Sequence, residues 1–406
     1  MKKIIFILFL ILIIILGGLF WLKKYRVDKC SDGICQRWEQ KRGNCSIDCK
    51  KEEFPIKPIV SKESNIKKFS VLFNSGGRVF WVESEKLIYF DKKGRDGYVD
   101  VYVANEDGSN EKCLTCDKSG IYQENNGFPQ VHPNNKYILF QSENPNLKKI
   151  PSFPKIQKFV GNPGVGINND LWIMDKKAEK FWKLTNVSDL HGTLHPYFSE
   201  DGRKLVWSEL REPISGVGNW VVKVGDFEII NDTPKLSNIK TIDILVEGLY
   251  ETQTFTRDGK KVFVSFAPKG TYYYEMEEYL IDINTLESIK LTNNNAWDEQ
   301  AKITVDGKII YVSSEENSRP NVKGLQDVIN TPPEIDFWIM DIDGSNKKRL
   351  TYFNDLNSID YIKSDGGIGI GEFAINNDGK IVIGKMRKDR KDQIVKIEFN
   401  INSFMK

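Results

Sequence analysis

From about residue 68 the chain alternates. Short runs rich in Val, Ile, Tyr, Phe and Trp are separated by Asp-Gly, Asn-Asn and Gly-Gly pairs. That is the pattern of strands joined by tight turns. Long stretches with helical periodicity are absent. Two phrases recur. The first reads DVYVANEDGSNEKCLT (100–115), DLWIMDKKAEKFWKLT (170–185) and DFWIMDIDGSNKKRLT (336–351). The second reads YFSEDGRKLVWSE (197–209), TFTRDGKKVFVSF (254–266), KITVDGKIIYVSS (302–314) and AINNDGKIVIGKM (374–386). VHPNNKYILFQSE (131–143) and NSGGRVFWVES (74–84) are weaker copies of it.

Aligned on the turn residue of the second phrase, the copies fall at 77, 135, 202, 259, 307 and 379. Five are Gly. Asn135 is the sixth, and Asn tolerates the left-handed backbone best after Gly. Each of the six units is therefore two hairpins: strands A and B around the Asp-Gly-type turn, then strands C and D. Four-stranded units leave edges that only neighbouring units can cover, which predicts a radial, six-bladed β-propeller. In this reading FSVLF (69–73) belongs to blade one. DQIVKIEFN (392–400) supplies both C and D of blade six.

The phrases resemble the TolB-like propeller repeat, roughly PxFSPDGKKIVFxS…DIYVMDxDGSNxKRLT, over about residues 70–403. The resemblance implies an all-β, six-bladed TolB-like β-propeller over 68–406. It does not imply one function. Such propellers include periplasmic interaction proteins, the gating propellers of prolyl-oligopeptidase-type enzymes and some polysaccharide lyases. No G-x-S-x-G and no hydrolase-sized second domain accompany the repeats, which argues against the peptidase reading. P-loop and dinucleotide fingerprints are also absent.

The amino terminus has a different character. Lys2 and Lys3 precede an uncharged apolar run from Ile4 to Leu22. As a helix it would span about 28 Å at about 1.5 Å per residue, close to the hydrocarbon thickness of a bilayer. No small-x-small cleavage site follows, so residues 1–24 are expected to be an uncleaved transmembrane signal anchor. Basic residues flank both ends and do not decide orientation. Cysteine usage helps. All six cysteines follow the anchor, and Cys30, Cys35, Cys45 and Cys49 crowd into one short segment. This suggests an oxidising compartment, with the bulk of the chain outside the cytoplasm at the cell membrane.

Residues 28–50 are too few to bury a core, so cross-links or a metal must hold them. The segment resembles small extracellular modules of the form CGDGxCxxxE…CPxDC, with Ser31 and Ser46 replacing the usual Gly and Pro. Three readings stay open: two disulfides alone, two disulfides with a calcium ion on Asp32, Glu39 and Asp48, or a four-thiolate zinc site. Residues 51–67 carry charges, Pro55 and Pro58, and read as a linker. Cys113 and Cys116 lie at the end of a strand rather than at the start of a helix. A local disulfide or packed thiols therefore fits better than redox chemistry.

Charge narrows the partners. Lys and Arg number 58 against 56 Asp and Glu, with no basic stripe, so no nucleic-acid partner is expected. Strand order puts the short A–B and C–D turns on one face. The other face carries the long connections at about 144–169, 315–335 and 352–370, and also the starts of the inner A strands. There the alignment gathers His195, Glu251, Glu299 and Glu372, with His191 and Trp297 close in sequence. Such a group could bind a cation, an amine or another ligand, act in acid–base chemistry, or simply line a wet channel. His132 stands at a turn-capping position. Asp100, Asp170 and Asp336, which open strand C, read as acceptors that fix the hairpin. Trp81, Trp172, Trp207 and Trp338 read as blade packing. The expected function is a membrane-tethered, non-catalytic binding module for an envelope protein or surface ligand. The alternative is a metal-assisted, polysaccharide lyase-like enzyme.

Overall fold

The computed structural model describes residues 64–147, 160–212, 218–242, 247–269, 275–317 and 333–400. The expected anchor, the cysteine module with Asp32, Glu39 and Asp48, and the linker up to residue 63 lie outside them. Among the described residues, no helix is long and apolar enough to cross a membrane.

The described chain forms six four-stranded antiparallel sheets. Blade one is β2 (Val79–Val82), β3 (Leu87–Lys93), β4 (Val99–Asn105) and β5 (Lys112–Cys113). Blade two is β6 (Asn126–Val131), β7 (Tyr137–Glu143), β8 (Asn169–Asp175) and β9 (Phe181–Lys183). Blade three is β10 (Thr193–Phe198), β11 (Lys204–Glu212), β12 (Asn219–Ile230) and β13 (Thr233–Ile242). Blade four is β14 (Gly248–Phe255), β15 (Lys261–Pro268), β16 (Glu277–Asp282) and β17 (Ser288–Lys290). Blade five is β18 (Asp298–Ile303), β19 (Lys308–Ser313), β20 (Asp336–Asp341) and β21 (Lys348–Arg349). Blade six is β22 (Gly369–Ile375), β23 (Ile381–Lys388), β24 (Lys391–Phe399) and β1 (Ile66–Phe73). The inner strands touch in sequence, β2 to β6, β10, β14, β18, β22 and back to β2, so the ring is closed. The protein is a six-bladed β-propeller.

Three sequence assignments need correction. FSVLF is the outer strand of blade six and not part of blade one: β1 pairs with β24, Val71 opposite Val395. Residues 391–399 form one unbroken strand and not two. Alternation reveals which face a strand buries but not which edge it completes, and ring closure supplies the edge. Gly77 is not an A–B turn residue either. That turn in blade one is Glu83–Lys86, with Lys86 in the left-handed region at φ 56°. Gly77 sits ahead of β2, where an added Cβ would lie 2.3 Å from Asp91 Oδ1. Its glycine answers to close approach and not to turn geometry. The strands also begin at Ile66, two residues before the expected boundary.

The long phrase has a mechanical reason for its fixed length. Thr115 Oγ1 donates to Asp100 Oδ1 at 2.8 Å, Thr185 to Asp170 at 3.0 Å and Thr351 to Asp336 at 2.7 Å. The same hydroxyls accept the backbone N–H of Val101, Leu171 and Phe337. The first and last letters of each phrase thus bond to each other, and the Asp is the expected hairpin acceptor. His132 has its expected capping role: its Nδ1 accepts from the Asn134 N–H at 3.2 Å. Trp81, Trp172, Trp207 and Trp338 are all buried between strands. Cys113 and Cys116 form a disulfide. Blade three departs from the phrase. Its outer hairpin turns on Asn231 and Asp232, both at positive φ, the backbone a two-residue turn needs to match strand twist.

Candidate functional site

Inner strands β6, β10, β14, β18 and β22 each carry a register shift. In β10, His195 and Pro196 oppose Trp207 alone. In β18, Gln300 and Ala301 oppose Tyr311 alone. A bulge re-aims the side chains of the strand that carries it. Phe128, His195 and Gln300 occupy these bulges with φ of 55°, 44° and 65°.

The bulges bring His195, Glu251 and Glu299 together, one ligating atom of each within 4.8 Å of the others. His195 Nδ1 lies 3.6 Å from Glu251 Oε2. The residues are 2% and 8% exposed, and neither of these two atoms has a hydrogen-bond partner. Phe128 stacks on the imidazole at 4.8 Å and 21°. Glu299 is held from both sides: Trp297 Nε1–H donates to Oε2 at 2.7 Å, and Gln300 Nε2–H donates to Oε1 at 3.0 Å. Trp297 therefore positions Glu299 at the mouth.

Glu372 is drawn elsewhere, to Lys385 Nζ at 2.7 Å. His191 is not brought into the cluster. It is half-buried in the loop before β10, its ring nitrogens 3.0 and 3.2 Å from the carbonyls of Asp189 and Arg211. Of the six candidates, three converge, Trp297 supports them, Glu372 is paired beside them and His191 stands apart.

Burial governs the protonation states. It pushes the His195 pKa down to about 4, against the nearby carboxylates of Glu372 and Glu299. It pushes Glu251 well above the usual carboxylate range, helped by the charge of Glu299 and a hydrogen bond with it. With its pKa at about 4, His195 is neutral at neutral pH, so its contact with Glu251 is not an ion pair. Burial alone would raise Glu372, but the Lys385 ammonium, with Arg78 behind it, holds it well below the usual range. Burial lowers Lys302 to about 8; its Nζ lies 3.1 Å from Tyr197 Oη and 4.4 Å from that ring's centroid.

Several residues of this site were not singled out from the sequence. Glu278 is fully buried and accepts from Ser265 Oγ at 3.2 Å. It stands where other copies of the phrase carry Val101, Leu171 and Phe337, so a charge in an apolar column was a usable signal. Lys385 similarly occupies the column of Ser208, Ser265 and Ser313. Arg78 and Asp91 gave no such signal. Arg78 Nε meets Asp91 Oδ2 at 2.6 Å, and its NH2 reaches Asn162 Oδ1 at 2.9 Å in the blade-two loop. That loop buries Val160 and Ile167 against Phe128, Leu194 and Tyr197, bracing the mouth from one side.

Asp298, next to Glu299, supplies a pH test. Burial raises its pKa to about 7. A folded-state value above the unfolded one gives stability that is present at low pH and lost as pH rises through about 7. Asp298→Asn removes this term. In chelator, the melting temperature of the variant relative to wild type is expected to be higher at pH 8 than at pH 5. A pH-independent difference would show that Asp298 does not titrate there.

No protein-family model matches the chain, and no curated protein matches it. Among solved structures it is similar to TolB from Acinetobacter baumannii, at 15% identity and a TM-score of 0.47 over 77% of this chain; it spans 63% of that protein, under two thirds. It is also similar to an oligogalacturonate lyase in complex with manganese, at 11% identity and a TM-score of 0.46, covering 83% of this chain and 94% of that one. A Pyrococcus horikoshii acylaminoacyl peptidase is similar at 11% identity and a TM-score of 0.42, over 77% of this chain and 42% of that one. These identities are low, and the propeller is read from its own six sheets.

Proposed function

We propose that this chain is a membrane-tethered, extracytoplasmic β-propeller that binds another envelope protein or a surface ligand across its loop-bearing face, without catalysis. The uncharged run Ile4–Leu22 and the clustered cysteines support the tether and the compartment. One structural observation carries the binding reading. The loop between blades five and six presents Leu356 and Ile359, 75% and 72% exposed. That loop is firmly held. Phe353 is buried, and Asn354 Nδ2 donates to the Ile335 and Ile368 carbonyls. Large apolar side chains on an anchored, exposed loop are suited to a partner contact.

The test is cross-linking in intact envelopes, comparing wild type with Leu356→Asp/Ile359→Asp. Both positions are exposed, so the melting temperature should not change, while specific adducts of the wild type should be lost. Identical adducts in both proteins would refute the reading. The His195–Glu251–Glu299 cluster favours the second reading, a metal-assisted carbohydrate-active enzyme. Turnover of uronic-acid polymers with divalent metal, abolished in Glu251→Gln and His195→Ala, would establish it instead.

A further inference from the structure

We propose that His195, Glu251 and Glu299 hold a divalent transition-metal ion of the manganese or zinc type at the mouth of the central channel. The inference does not depend on what the loop-bearing face binds.

Four features of the site point to a cation. The first is the donor set. One imidazole and two carboxylates converge from three successive inner strands, β10, β14 and β18. Donors of one ion at bond lengths of about 2.0–2.2 Å lie roughly 3 to 4 Å from each other. The 3.6 Å between His195 Nδ1 and Glu251 Oε2 falls in that range. It is too long for a good hydrogen bond between the two atoms themselves.

The second is the pair of unpartnered atoms. His195 Nδ1 and Glu251 Oε2 are buried, polar and without hydrogen bonds. Buried polar atoms are ordinarily satisfied. Two such atoms facing each other describe a site that a shared cation completes.

The third is local charge. The Arg78–Asp91 pair is balanced. Around the cluster stand the carboxylates of Glu251, Glu278, Glu299 and Glu372, against the ammoniums of Lys302 and Lys385. Carboxyl groups outnumber the ammoniums there, and a bound divalent ion would favour their ionised forms.

The fourth is the surrounding support. Metal ligands are commonly oriented by donors and packing outside the ligand set. Trp297 and Gln300 donate to the two oxygens of Glu299, and a carboxylate oxygen that accepts one bond keeps a lone pair for a metal. Phe128 fixes the plane of the imidazole. His195 itself is held at φ 44°, a conformation that a non-glycine residue keeps only where its surroundings impose it.

The imidazole also selects the metal. Calcium and magnesium favour all-oxygen shells. A mixed imidazole–carboxylate set suits manganese and zinc.

The experiment uses the full chain, purified in detergent, stripped with chelator and titrated with Mn²⁺ while electron spin echoes are recorded. One bound ion showing modulation from a coordinated imidazole nitrogen is expected. His195→Gln should abolish that modulation. Glu299→Gln and Trp297→Phe should each weaken binding, the latter about 10-fold, as outer-shell changes do. Asp32→Asn, which reports on any separate ion in the cysteine module, should leave the nitrogen signal unchanged. Absence of nitrogen modulation in the wild type, or its persistence in His195→Gln, overturns the proposal. Should His195→Gln lose its circular-dichroism signature of folding, Trp297→Phe decides, and unchanged affinity in that variant overturns the proposal.

Discussion

Removal of β1 is expected to abolish cooperative folding of the propeller. A chain beginning at residue 75 lacks the outer strand of blade six, so β24 loses its partner along the register from Ile66↔Phe399 to Phe73↔Ile394. Contacts across the seam go with it. Phe69 meets Phe353 of the preceding link at 6.1 Å, and Phe73 meets Phe90 of blade one at 4.7 Å. Asn65 Nδ2 also donates to the Leu350 carbonyl at 3.0 Å. The strand therefore ties blade six to both neighbours and covers the outer edge of β24. A chain beginning at residue 60 keeps all of these contacts and is expected to unfold in a single transition. Urea titration followed by tryptophan fluorescence distinguishes the two. A steep transition in the shorter chain would show that closure does not depend on β1.

Asp91→Ala is expected to cost about 3–5 kcal/mol, the range for removing one partner of a buried ion pair. Asp91 is 1% exposed. Its Oδ1 accepts the Arg78 backbone N–H at 3.0 Å, and its Oδ2 accepts Arg78 Nε–H at 2.6 Å and the Phe128 N–H at 2.8 Å. The alanine strips the buried guanidinium of its ion-pair partner and orphans two backbone donors. It also loosens the brace that Arg78 makes to Asn162 and the Pro163 carbonyl. Faster proteolysis within 160–168 should accompany the lower urea midpoint. The exposed Lys269–Glu247 pair is the control, and Lys269→Ala should leave the midpoint unchanged. The double replacement Arg78→Met/Asp91→Leu should cost less than Asp91→Ala, because it removes both charges together. A midpoint for Asp91→Ala equal to wild type would mean that the pair is not buried in solution.

The blade was legible because its cause is local. Alternation places side chains on two faces, and an Asp-Gly or Asn-Asn turn forces the hairpin. An Asp and a Thr fifteen positions apart in a phrase such as DFWIMDIDGSNKKRLT bond to each other, so even the length of the phrase is set within one blade. The count of six followed from the same signals, although Gly77 entered it for the wrong reason. The A-strand starts were legible in part. Alignment named His195, Glu251 and Glu299, whose columns meet at the mouth, and Glu278 and Lys385 were readable as charges in apolar and serine columns.

What the sequence could not carry is partnership between blades. Nothing in FSVLF says that it completes a sheet whose other strands lie some three hundred residues later; only closure of the ring decides that. Nothing near Glu299 says that Glu251 of the preceding blade will face it, because that meeting depends on the bulges that re-aim each inner strand. The Arg78–Asp91 pair and its hold on the blade-two loop arise only when blades one and two meet. Hydrophobic period and turn chemistry act over a few residues, and they determined the repeat by themselves. Charge pairing and burial act through space, and the tertiary structure alone decided which of the repeated positions became a site.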